Sequence, residues 1–131
     1  MLIYLDSVIV IYAIDGDPAF MARATARLGA AMVAGDAFAT SDLTRIECLV
    51  QPLRAKDVGL QSTFLRYLSG TRVLGLAPAV CDRAAEIRPG YGYSLADALH
   101  LAAAAAGNCD RFLTNDAALA GFPDIAVEIL P

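Results

Sequence analysis

The chain has one histidine, one lysine and no Cys-x-x-Cys pair, and each shortage removes a chemistry. A lone imidazole, His100, cannot supply the paired acid–base groups that metal-free RNA cleavage normally wants. The three cysteines, Cys48, Cys81 and Cys109, are an odd set, and none forms a ligand-spaced pair with His100. Neither a zinc site nor a disulfide framework is expected. All three read as small core residues in a reducing compartment. Charge is scarce too, at 18% of residues with a net −4. That balance argues against a simple nucleic-acid binder, which usually carries a basic face. It argues less against a nuclease, whose metal-holding carboxylates push the sum negative. Lys56 is the only lysine, so the basic side is nearly all arginine. Arginine suits phosphate recognition through paired donors, although GC-rich coding has the same effect. No apolar run is long enough to span a bilayer. Met1 to Leu5 lacks a basic region and meets Asp6 almost at once, unlike a signal peptide. A cytoplasmic protein with no membrane attachment is expected.

What is abundant is apolar surface, at 57% of 131 residues. A chain of this length fits one domain, 1–131, with a real core. So apolar a domain buries helices on both sides of a sheet, hides surface in a partner, or does both.

Short apolar runs at Leu2–Leu5, Ala37–Thr40, Val73–Leu76, Arg111–Leu113 and Ala126–Ile129 predict strands. Between them lie helical stretches. Ser7–Ile14 and Ala19–Ala34 are the first two. A third starts at Ser41-Asp42, where Leu43, Ile46, Val50 and Leu53 recur at the spacing of one helical face. Pro52 should bend or end it. Further helices are predicted over Val58–Leu68, from Pro78 to about Ile87, over Ser94–Ala106, and briefly over Asn115–Ala120. Pro89 to Tyr93 reads as a loop. Alternating strands and helices predict an α/β fold with a mostly parallel sheet of four or five strands, covered on both faces.

Four carboxylates stand where chemistry could use them: Asp6, Glu47, Asp97 and Asp116. Three have ordinary alternatives. Asp6 could cap the helix after it, Ser94-x-x-Asp97 resembles a capping box, and Asp116 suits a helix start. Glu47 lies inside a helix beside the apolar face, with Arg45 and Arg54 as conceivable partners. The joint placement is the stronger argument. In an open α/β sheet, sites form beyond the carboxyl ends of the strands, where these four could converge. Clustered carboxylates repel one another, and a divalent cation relieves that cost. Oxygen donors suit Mg²⁺ or Mn²⁺ rather than zinc. His100, three residues after Asp97, reads as a structural or supporting group.

The ordered motifs resemble those of the PIN-domain family. Leu5-Asp6-Ser7 followed by Val8-Ile9-Val10-Ile11-Tyr12 is similar to its opening motif, and Thr44-Arg45-Ile46-Glu47 to its second. Ser94-Leu95-Ala96-Asp97-Ala98-Leu99-His100-Leu101-Ala102 resembles the third, and Thr114-Asn115-Asp116-x-x-Leu119 the fourth. The resemblance extends to the toxin half of VapBC toxin–antitoxin pairs. It implies a three-layer α/β/α fold and Mg²⁺- or Mn²⁺-dependent endoribonuclease activity. It carries over Asp6, Glu47, Asp97 and Asp116 as the acidic cluster, with Ser7 and Thr114 as supporting polar positions. It also implies an antitoxin partner. The apolar excess and few charges suggest a homodimer in which a helix face such as Val58–Leu68 or Ala19–Ala34 is covered by another copy, and the resemblance points the same way. Val8 departs from the asparagine or serine common at its position. Two rivals are a PIN-like module that binds RNA or protein without cutting, and a phosphoacceptor receiver domain. The receiver reading wants an acidic pair after the first strand, where Asp6 stands alone, and a lysine near the site.

Overall fold

The computed structural model describes all residues, 1–131. Its elements are β1 (Leu2–Leu5), α1 (Ser7–Asp15), α2 (Pro18–Val33), β2 (Ala37–Ser41), α3 (Asp42–Arg54) and α4 (Val58–Ser69), then β3 (Arg72–Leu74), α5 (Pro78–Tyr91), α6 (Leu95–Ala106), β4 (Arg111–Thr114), a 3₁₀ turn (Ala117–Gly121) and β5 (Ala126–Ile129). The strands form one sheet in the order β3-β2-β1-β4-β5. All four pairings are parallel. This is the expected α/β/α arrangement, with five strands flanked by six helices.

Side-chain alternation along β1 divides the core. Ile3 and Leu5 face α1 to α4 and pack with Ile9, Val10, Leu28, Phe64 and Leu68. Tyr4 faces the other way, with Phe112, toward Ile87, Ala98 and Leu101 of α5 and α6. No helix is long and apolar enough to cross a membrane.

Two boundaries differ from expectation for identifiable reasons. β3 is Arg72–Leu74 rather than Val73–Leu76. Its last partner is Ser41, where β2 gives way to α3, so Gly75 and Leu76 have no strand to pair with. The segment expected as a loop from Pro89 is helical through Tyr91. The stop is Gly92 at φ 69°, whose N–H donates to the Arg88 carbonyl. Glycine takes that left-handed cap without strain, whereas Pro89 removes one donor near a helix end. Pro52 likewise ends α3 only two residues later, at Arg54.

The periodic face of α3 is the larger correction. Thr44, Cys48 and Pro52 are its buried residues. Ile46, Val50 and Leu53 point outward, at 62%, 43% and 57% exposure. Their spacing marks one helical face, but that face is not covered by this chain.

The cysteines also divide. Cys48 and Cys109 are buried, while Cys81 is exposed and is not the core residue expected. Burial pushes the Cys48 thiol up to about 12 and the Cys109 thiol up to about 11. Thiolate is the reactive form, so raised values leave both nearly inert at pH about 8. A disulfide reagent should therefore titrate one thiol in the folded protein and three after unfolding. Three fast thiols under native conditions would contradict the packing.

Candidate active site

The chain leaves β1 for β2 over one face of the sheet, and reaches β4 from β3 over the other. The carboxyl ends of β1 and β4 therefore meet at a topological switch point, where helices diverge and a crevice opens. The Asp6 N–H donates to the Leu113 carbonyl at 3.0 Å, which fastens the start of that crevice to β4. A cleft of about 550 Å³ opens there, lined by Asp6, Ser7, Glu47, Asp97, Asn115 and Asp116. Val8, Ile11 and Tyr12 form its apolar wall. All four carboxylates singled out from the sequence share this cleft.

Asp6 stands at the start of α1, but its side chain makes no cap hydrogen bond. Its Oδ2 accepts instead from Thr114 Oγ1 at 2.7 Å, and Thr114 Oγ1 accepts from the Asp116 N–H at 3.1 Å. Thr114 thus ties the two acidic loops together. Ser94 caps the Asp97 N–H at 3.1 Å. Asp116 does act partly as a cap, because its Oδ1 accepts from the Ala118 N–H at 3.0 Å. Glu47 pairs with neither Arg45 nor Arg54. Its Oε1 lies 2.6 Å from His100 Nε2 and accepts from Ser7 Oγ at 2.7 Å. Both contacts fall on one oxygen, so Oε2 has no side-chain partner.

Burial, the largest influence, raises the Asp6 carboxyl above its ordinary value. The His100 charge and the Thr114 hydrogen bond oppose it, and the Asp97 charge adds to it. Glu47 moves the other way, held down first by its hydrogen bond to His100. The two carboxylates thus differ in environment: one desolvated, one held by an imidazole and a hydroxyl.

No three acidic, histidine or cysteine groups stand close enough to form a closed metal cage. That geometry is wrong for a structural zinc site. It does suit a magnesium-like ion, which needs only one or two carboxylates and keeps several waters. The donor set is all oxygen and the cleft is open to solvent, so these residues fit such an ion.

Sequence reasoning missed Tyr4, Ser41 and Asn115. Tyr4 hides in an apolar strand, yet its hydroxyl donates to Ser41 Oγ and meets His100 Nδ1. Strand alternation would have placed it on the α6 side, facing the single histidine. Asn115 lines the cleft and donates to Tyr12 Oη at 3.2 Å.

Fold and site together describe a parallel α/β/α protein with an acidic cleft at its switch point. The chain belongs to the PIN-domain family, whose sequence profile matches residues 3–126. Among curated proteins, none matches this sequence closely enough to indicate a relationship. Solved structures share the fold. A VapBC complex from Rickettsia felis bound to promoter DNA superimposes with a TM-score of 0.80 at 19% identity, over 100% of both chains. A toxin–antitoxin complex from Klebsiella pneumoniae gives 0.75 at 22% identity, over 94% of each. A sarcin–ricin-loop-cleaving VapC toxin from Mycobacterium tuberculosis gives 0.72 at 17% identity, over 95% of this chain and 98% of that one.

Proposed function

We propose that this chain is the toxin of a VapBC-type pair, an endoribonuclease that hydrolyses RNA with the help of Mg²⁺ or Mn²⁺. The observation that carries this reading is the convergence of Asp6, Glu47, Asp97 and Asp116 on one cleft of a PIN-family fold. A purely structural role would not gather four carboxylates at a solvent-facing crevice. Asp6, Asp97 and Asp116 would hold the cation between them, one or two directly and the rest through its waters. When bound, it supplies positive charge to the scissile phosphate and acidifies nearby water.

The chain's own groups do the rest. His100 and Ser7 fix the Glu47 carboxylate, whose free Oε2 takes a proton from the attacking water. Thr114 holds Asp6 and the Asp116 backbone in register. Water attacks in line, leaving a 5′-phosphate and a 3′-hydroxyl. Attack by the RNA 2′-hydroxyl would leave a cyclic phosphate, and would want a second acid–base group. The only histidine is already bonded through both ring nitrogens. The decisive experiment is purified protein on RNA, with and without EDTA, followed by end-group analysis. Cleavage that survives chelation, or cyclic-phosphate ends, would overturn the assignment. A binding-only PIN module would show no metal-dependent turnover at all.

Two partners belong to the same reading. The antitoxin presents an arginine to the acidic cleft and lays an apolar helix along Val8, Ile11 and Tyr12. A second copy covers the outward stripe of α3, a further candidate beside the Val58–Leu68 and Ala19–Ala34 faces. α3 carries Asp42 in its first turn and Arg54 in its last. Packed antiparallel on its own copy, each stripe meets itself and each Asp42 meets an Arg54. Val50→Asp should convert the dimer to a monomer in light scattering with unchanged helical content. A dimer that persists in this variant would move the interface elsewhere.

A further inference from the structure

Tyr4 is the one polar residue of β1, and it is fully buried between the sheet and α6. A hydrophobic strand position there wants a flat ring, which stacks on Phe112 at 5.3 Å with 7° between planes. Phenylalanine would serve that packing equally well. The hydroxyl serves something else, because a buried phenol needs polar partners. It has two. It donates to Ser41 Oγ at 2.8 Å and lies 2.7 Å from His100 Nδ1.

His100 is itself 1% exposed, and its ring stands edge-on to Tyr4. Its other nitrogen, Nε2, reaches Glu47 Oε1 at 2.6 Å. The result is a buried chain running from Ser41 through Tyr4 and His100 to Glu47. An imidazole can sit in a pocket of this shape in two ways. Turning the ring over would set carbons, not nitrogens, against Tyr4 and Glu47, and both hydrogen bonds would be lost. The Tyr4 hydroxyl marks which edge of the ring belongs on the sheet side. On the other side Nε2 meets Glu47 Oε1 and, at 3.2 Å, Ser7 Oγ, so the contacts on both edges of the ring favour the orientation in which Nε2 faces the cleft.

We propose that Tyr4 is a positioning residue, whose hydroxyl holds His100 in the one ring orientation that fixes the Glu47 carboxylate. The inference rests on the nuclease reading for its catalytic consequence, but not for its structural core. Ser7 alone would leave Glu47 one hydroxyl contact and freedom to turn. With His100 locked, the carboxylate has two directional partners on one oxygen.

Tyr4→Phe tests this, because it keeps the ring and removes only the hydroxyl. On RNA with Mg²⁺, kcat should fall about tenfold with KM unchanged within about twofold, the size expected for an outer partner of a site ligand. The chain has a single histidine, so ¹⁵N-histidine labelling reports one ring without ambiguity. In the metal-free wild-type protein the ring proton facing Glu47 should exchange slowly with water. In Tyr4→Phe it should exchange faster, or the ring should show two orientations. The Tyr4→Phe, His100→Gln double variant should be no slower than His100→Gln alone, since Tyr4 acts through that ring. Additive losses in rate, or a folded Tyr4→Phe with wild-type kcat and ring signals, overturn the proposal. So does rapid exchange of the wild-type ring proton, which needs no variant. If wild-type protein shows no metal-dependent cleavage, the nuclease reading fails while the ring-orientation measurement still decides the role of Tyr4.

Discussion

Asp6→Asn should remove nearly all RNA cleavage while making the metal-free protein more stable. The two effects have one cause. Asp6 is 8% exposed, and burial raises its carboxyl above the ordinary value. An acid with a raised folded value binds protons more readily folded than unfolded. Its ionised form therefore costs stability once the pH climbs above the unfolded value, and the cost is complete above the folded value. Above the folded value the wild type carries that cost in full, together with repulsion from Asp97. Asparagine keeps the shape and lets its Oδ1 accept the Thr114 hydrogen bond. Removing the charge should stabilise the protein by about 1 kcal/mol, read as a higher melting temperature in EDTA. The same charge is what a divalent cation needs. Its loss should lower kcat/KM by about two to three orders of magnitude with Mg²⁺ present. Asp97→Asn should lose activity on the same scale. A variant that is both less stable and fully active would invert the argument, leaving Asp6 a structural carboxylate only.

Most of the sheet was legible because its strands are short apolar runs separated by turn residues, and parallel crossovers leave few arrangements for such a pattern. The acidic residues were legible for the same reason. Asp6 follows β1 immediately, and Asp116 follows β4 closely, so strand prediction alone points them at one crevice. Other features depended on what each element meets in space. The α3 stripe of Ile46, Val50 and Leu53 has helical spacing, and spacing cannot distinguish a face turned to the sheet from one turned outward. Thr44 and Cys48, smaller and less apolar, are what the sheet receives. β3 stops at Leu74 because its neighbour ends, which no property of Gly75 or Leu76 announces. The polar chain was hidden by strand context. Tyr4 reads as one more hydrophobic residue of Leu2–Leu5 until alternation turns it toward His100. Glu47, read as a possible partner of Arg45 or Arg54, found its imidazole fifty-three positions away.

Phe112→Ala should be the most damaging single truncation in the core. Phe112 is fully buried on β4, between β1 and β5, in register with Tyr4 and Val127. Its ring stacks on Tyr4, so it supports both the helical layer of α5 and α6 and the polar chain above. The alanine variant loses the transfer energy of a benzyl group and leaves a cavity in a β-sheet that cannot collapse far. The expected cost is about 3–5 kcal/mol. Small domains have a total stability of roughly 5–15 kcal/mol, so this is a large share of it. In urea the midpoint should fall sharply while the slope stays constant, which marks lost stability rather than an altered unfolded state. Phe112→Leu keeps much of the volume and should cost well under half as much, about 1–1.5 kcal/mol. It still removes the flat surface on which Tyr4 rests. The leucine variant should therefore fold cooperatively yet turn RNA over more slowly, with its His100 ring proton exchanging faster than in the wild type. If the alanine variant loses less than about 1 kcal/mol, the Tyr4–Phe112 layer is not the centre of the core, because a well-packed aromatic site cannot be emptied so cheaply.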